Sequence, residues 1–330
     1  MRTNDREETI MSLDRLMEAI AAKQNPTVAG LDPKLDYVPD FIKCKAFEKH
    51  GETLKGAAKA ILEYNKGLID ALCGIVPAIK PQSAYYEMYG YQGMKTLYKT
   101  QEYARSKGMF VITDGKRNDI GSTMEAYAAA HLGTVKVGSN EYEPFLGDAL
   151  TVNGYLGTDG IKPLIDICNT YDKGIFVLAK TSNPSSGELQ DKKINGVPVY
   201  EQMAKMCTIW GKELTGKYGY CGIGIVAGAT YPEQIAELRK KFPKLFFLIP
   251  GYGAQGASAQ DISAAFDKNG LGGIVNSSRG IMCAYKKEGC DESDYAGAAY
   301  REAVRMRDEI MGHVGTIKLP KPRAPKKKAE

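Results

Sequence analysis

No stretch of the 330-residue chain comes near the ~18–20 unbroken apolar residues that a bilayer crossing requires. The opening decapeptide MRTNDREETI is charged and lacks the apolar run of a secretory signal. Cysteines are few, odd in number and scattered (Cys44, Cys73, Cys168, Cys207, Cys221, Cys283, Cys290), and no two form a C-x-x-C pair. That spacing argues against a disulfide framework or a zinc site, and for free thiols in a reducing cytoplasm. Histidine is scarcer still. His50, His131 and His313 stand in helical or tail contexts, so no pairing of a nucleophile with a histidine is legible. Net charge is missing from most of the chain as well. The formal +5 is accounted for by residues 316–330, where Lys318, Lys321, Arg323, Lys326, Lys327 and Lys328 face Glu330 alone. Residues 1–315 are electrically balanced, and nothing in them calls for a nucleic acid or a membrane as partner.

A hydrophobic share of 43% excludes global disorder and supplies a large core. Its pattern is an alternation of short apolar runs with longer amphipathic ones. The runs are 27–32, 76–82, 109–116, 149–154, 174–182, 222–228, 245–251 and 272–280. Most lack the polar alternation of a half-exposed sheet, as suits parallel strands buried on both faces. Eight such runs with helices between them predict a single-domain α/β fold, a TIM-type (β/α)₈ barrel, over 12–315. An open doubly wound sheet is the competing topology. Residues 1–11 read as an N-terminal extension and 316–330 as a disordered basic tail. Capping boxes are predicted at Ser122–Glu125 and Thr230–Glu233, and a third helix from Ser258 to Lys268. Residues 183–200 are polar and turn-rich, a candidate lid after the fifth strand.

Barrel enzymes place reactive groups at the carboxyl ends of their strands. Those ends here carry Asp32, Lys80 and Gln82, Asp114 and Lys116, Asn153, Lys180 and Ser182, and Arg279. Any one of them could be an ordinary loop residue, but opposite charges closing the first three strands together are harder to explain so. Asp114 and Lys116 are two residues apart, so an extended chain aims both into the barrel mouth. Asp119 follows in the turn before the next helix, outside its capping box. At the other end the loops after strands seven and eight supply a glycine-rich GYGAQG and Arg279, a combination suited to an anion.

The motif Asp114-x-Lys116-x-x-Asp119-Ile120 resembles the signature of the orotidine 5′-phosphate decarboxylase family. The likeness extends from Gly30-Leu-Asp-Pro33 through Ile79-Lys-Pro-Gln82, Ala179-Lys-Thr-Ser-Asn183 and Pro250-Gly-Tyr-Gly-Ala-Gln-Gly256 to Asn276-Ser-Ser-Arg-Gly280. These forms are similar to the family's longer subgroup. The resemblance implies decarboxylation of orotidine 5′-phosphate (OMP) to uridine 5′-phosphate (UMP), with no metal and no organic cofactor. It implies that Lys116 stabilises and protonates the C6 carbanion. Asp114 would face the substrate carboxylate, with Lys80 and Asp119 completing an alternating charge array. Asp32 and Lys80 would contact the ribose, Ser182 the pyrimidine edge, and Gln255 and Arg279 the phosphate. It implies a homodimer in which Asp119, Ile120 and Thr123 reach the neighbouring site. Ser278 stands where many relatives carry glycine. Two other readings stay open in the sequence. One is a metal-dependent sugar-phosphate lyase of the same superfamily, and the other is a non-catalytic phosphate- or RNA-binding barrel.

Overall fold

A computed structural model describes residues 11–253 and 256–323. Each of the eight apolar runs coincides with a strand, the third extending one residue beyond its run. They are β1 Thr27–Leu31, β2 Ala78–Pro81, β3 Phe110–Arg117, β4 Ala149–Val152, β5 Gly174–Lys180, β6 Ile223–Ala227, β7 Phe247–Ile249 and β8 Gly273–Ser277. Neighbours pair in parallel around the ring, and β1 pairs with both β2 and β8. The sheet is therefore closed, a (β/α)₈ barrel and not an open doubly wound sheet. Helices pack outside it, so residues such as Val111, Leu150, Val177 and Ile225 are buried facing outward while their neighbours are buried facing inward. That double burial is why the strands read as unbroken apolar runs.

Inward positions recur every second residue. Val28, Ala78, Ile112, Ala149, Phe176 and Ile274 form one cluster inside the barrel. The first helix, Ser12–Lys23, joins it through Leu13, Leu16, Met17 and Ile20, an i, i+3, i+4, i+7 stripe. It stops the amino-terminal end of the barrel with hydrocarbon. Two residues further up the strands come Lys80, Asp114, Thr151, Leu178 and Asn276, and these face a cavity. The fold thus has a sealed floor and a polar mouth.

Several local expectations are corrected. The helix after β3 begins at Gly121, whose φ is +52°, so Ser122 already lies inside it and forms no capping box. Thr230 does not cap the helix Pro232–Lys241; its hydroxyl donates to the Ser182 carbonyl at 3.3 Å. The third helix is shorter than expected, Ala259–Ser263, although Ser258 and Asp261 do form a reciprocal capping box there. The segment 316–323 is not a free tail. Ile317 is buried against the barrel floor and exchanges hydrogen bonds of 2.9 Å with the Gln24 side chain. The Arg323 N–H donates to the Lys217 carbonyl at 2.8 Å. Residues 1–10 and 324–330 of the two expected terminal segments lie outside the described residues. No helix among the described residues is long and apolar enough to cross a membrane.

Leu16 is wholly buried in the floor plug. Leu16→Ala should lower the unfolding free energy by ~2–5 kcal/mol, through lost transfer energy and an unfilled cavity. Urea titration of both proteins measures the difference.

Candidate active site

The inward residues at the carboxyl ends of the strands line a cavity of about 730 Å³. One half of its wall is polar and charged: Asp32 beyond β1, Lys80 and Gln82 from β2, Asp114 and Lys116 from β3, and Thr151 from β4. Facing them are apolar side chains from β5, β6 and β7, namely Leu178, Val226 and Leu248. Asn276, Ser278 and Arg279 close the ring at β8. A charged half against an apolar half keeps the local dielectric low where the charges stand.

Asp114 is the hub. Its Oδ2 accepts from Lys80 Nζ at 2.6 Å and Gln82 Nε2 at 3.1 Å. Its Oδ1 accepts from Lys116 Nζ at 2.6 Å and from the Thr151 hydroxyl at 2.8 Å. Burial works against the Asp114 carboxylate, but the Lys80 and Lys116 ammoniums outweigh it and hold its pKa well below the usual carboxylate range. Burial likewise works against the Lys80 ammonium, and Asp114 and Asp32 overcome it, so its pKa stands above the ordinary lysine value. Lys80 is 4% exposed, whereas the Lys116 side chain keeps 45% of its surface open to the cavity. Lys80 is thus built into the wall, and Lys116 is the ammonium a ligand can reach.

Two-residue spacing alone does not bring Lys116 to Asp114. The β3–β4 register shifts between Thr113 and Arg117, and Lys116 lies in the left-handed region at φ +47°. A side chain there costs ~1–2 kcal/mol. The Lys116 N–H donates to the Thr151 hydroxyl at 3.0 Å, and that same hydroxyl donates to Asp114. Thr151 therefore holds both the strained backbone and the carboxylate.

Ser182 and Arg279 also line the cavity. Gln255 lies outside the described residues. The Tyr252 hydroxyl, in the glycine-rich loop, donates to Glu309 Oε2 at 2.6 Å and ties that loop to the last helix. Asp119, Ile120 and Thr123 are not brought to the cavity of their own chain. Asp119 accepts from the Ile120 N–H at 2.8 Å, and Ile120 is 51% exposed. Beside them stand Tyr155 and Leu156, both exposed. Gly160 packs so closely there that a β-carbon on it would lie 3.0 Å from the Asp119 carbonyl oxygen and 3.4 Å from Leu156. Asn153 makes an Asx turn, accepting from the Tyr155 N–H at 3.0 Å. Lys180 is fully buried and paired with Asp191 at 2.7 Å.

Thr151, Asn276 and Gln190 line the cavity without having been singled out from sequence. Thr151 and Asn276 carried a signal: each is a polar residue at an inward position of an otherwise apolar run. Gln190 carried none. Among the described residues, no group of three His, Cys, Asp or Glu side chains is placed to hold a metal ion.

The Asp114 charge stabilises the fold above the ordinary carboxylate pKa of ~4, and that stabilisation is lost as the pH falls below it. Asp114→Asn should cost ~3–5 kcal/mol at pH 7, because it strands the buried Lys80 ammonium. The gap to the parent should narrow as the pH falls below ~4, because the carboxylate of the unfolded parent then takes up a proton while the folded one stays charged. Urea unfolding at a series of pH values measures it.

Comparison with known proteins agrees with this geometry. Residues 49–289 match the family described as orotidine 5′-phosphate decarboxylase / HUMPS. The chain is 42% identical over 302 residues to an orotidine 5′-phosphate decarboxylase of Rhodopirellula baltica, covering 90% of this chain and 98% of that one. It is 40% identical over 301 residues to the Clostridium acetobutylicum protein of the same name, with coverage of 91% and 99%. Among solved structures it is similar to OMP decarboxylase of Leishmania donovani, with a TM-score of 0.68 and 27% identity, covering 91% of this chain and 99% of that one. The match runs through the lysine–aspartate hub and most of the barrel, and the chain belongs to the orotidine 5′-phosphate decarboxylase / HUMPS family.

Proposed function

We propose that this chain converts OMP to UMP and CO₂, with Lys116 as the acid, the closing step of de novo pyrimidine synthesis. The observation that carries the reading is one buried carboxylate, Asp114, gripped by two ammoniums at the mouth of a half-apolar cavity. With the C6 carboxylate of the substrate near Asp114, two negative charges share a dry pocket, and their repulsion ends as CO₂ departs. The C6–carboxylate bond breaks and its electron pair stays on C6. Lys116 faces that carbon, and a proton passes from its Nζ to C6; the neutral amine then regains a proton from water.

Magnitudes say why more than one charge is needed. An ammonium ~4 Å from the developing carbanion contributes ~4 kcal/mol at an effective dielectric of ~20, about a thousandfold in rate. Leu178, Val226 and Leu248 strengthen such terms by excluding water, and the Asp114–Lys80 pair keeps Lys116 in place. Arg279 suits the phosphate, Asp32 the ribose and Ser182 the pyrimidine edge, with Gln255 on the phosphate by its place in the glycine-rich loop.

The exposed Ile120, Tyr155 and Leu156 beside Asp119 support a homodimer in which Asp119, Ile120 and Thr123 complete the neighbour's site. Seven unpaired cysteines suit a reducing compartment, the cytoplasm. Against a metal-dependent lyase stands the occupancy of Asp114, both of whose oxygens already accept from ammonium groups.

EDTA-treated protein should deplete the OMP absorbance, and the absence of turnover would sink the assignment. Lys116→Ala should lower kcat by at least ~10³-fold while the protein stays folded. Mixing Lys116→Ala with Asp119→Ala chains should restore activity, since one site of each hybrid regains both groups. Hybrid dimers that form and stay inactive would refute the shared site.

A further inference from the structure

The segment from Thr181 to Gln190 forms one side of the cavity, through Thr181, Ser182, Asn183 and Gln190. Its two ends are clamped twice over. Gln190 accepts from the Thr181 N–H at 2.8 Å and donates to the Thr181 hydroxyl at 2.7 Å. One residue further out on each side, Lys180 Nζ donates to Asp191 Oδ1 at 2.7 Å. Lys180 is 0% exposed, and its ammonium lies 4.1 Å from the centre of the Tyr231 ring. A buried ammonium costs several kcal/mol unless it is paired, so it is seldom kept without a task.

The turn after β6, residues 228–231, supplies a seat for the same loop. The Thr230 hydroxyl donates to the Ser182 carbonyl at 3.3 Å, and the Tyr231 hydroxyl to the Asn183 carbonyl at 3.4 Å. Gly228 lets the chains approach, because a β-carbon there would lie 2.8 Å from Ser182 N and Cα. Tyr231 thus touches both the clamp and the loop that it closes.

We infer that the Lys180–Asp191 pair is a positioning device, which holds the Ser182 and Gln190 edge of the cavity in register for the pyrimidine ring of the substrate. Neither charge touches the substrate; each acts through the loop. The inference rests on the reading of this cavity as an OMP site. It adds that the pair serves the base and not the phosphate, which lies at Arg279 on the far strands.

The test compares two ligands that share ribose and phosphate and differ in the base. Asp191→Asn should weaken UMP binding by about tenfold, the scale of one lost hydrogen bond to the ligand, and leave ribose 5-phosphate binding unchanged. KM for OMP should rise by a similar factor with kcat nearly constant. Asp191→Asn strands a buried ammonium, so Lys180→Met combined with Asp191→Asn is measured beside it, with folding followed by circular dichroism. The double variant should remain folded and show the same selective loss. Equal weakening of both ligands, no change in either, or full recovery of UMP binding in the double variant would each overturn the inference. Failure of the parent protein to turn over OMP would instead overturn the functional reading on which it rests.

Discussion

Much of the cavity is organised by one carboxylate. Asp114 accepts four hydrogen bonds, two of them from ammoniums, and every donor comes from an inward strand-end position. Without that negative charge, Lys80 would lose its hydrogen-bonded partner and keep only the more distant support of Asp32, and Lys116 would lose the carboxylate that holds its ammonium. Without the lysines, Asp114 would take up a proton. The groups stay charged because they are together, and the barrel brings them together by bending three separate strands toward one axis.

Such an arrangement needs somewhere to rest. Below the charged ring the barrel is packed with hydrocarbon and stopped by the first helix. The apolar floor keeps the charges at the mouth, and the apolar wall of β5 to β7 leaves them poorly screened by solvent. Strain is confined to one residue of the hub, Lys116 at φ +47°, and Thr151 secures it through two hydrogen bonds. The lysine that a ligand can reach is thereby the one with the least conventional backbone.

Most of the architecture was legible because it rests on period-two burial and on chain order. The eight runs, their parallel sense and the strand-end residues all follow from that pattern. Extending the inward parity of Asp114 to the other strands would also have pointed to Thr151 and Asn276. The capping-box patterns at Ser122 and Thr230 form no cap because a four-residue motif does not say where the chain turns; Gly121 and Pro232 set those turns. Residues 316–323 looked like a solvated tail by charge, yet Ile317 among them finds the barrel floor. Lys180 was legible as a charge at a strand end but not as part of a clamp, since its partner Asp191 lies in a segment without periodicity.

The sequence by itself determined which residues could meet: the side-chain period of a strand decides which face each one takes. The tertiary structure decided which of them do meet, and how. The pairing of β2 with β3 gave Asp114 its second ammonium from another strand, the bulge in β3 turned Lys116 back onto it, and the loop after β5 folded over to bury Lys180. Each of these depends on contacts between segments far apart in the chain, whose energies no local pattern contains.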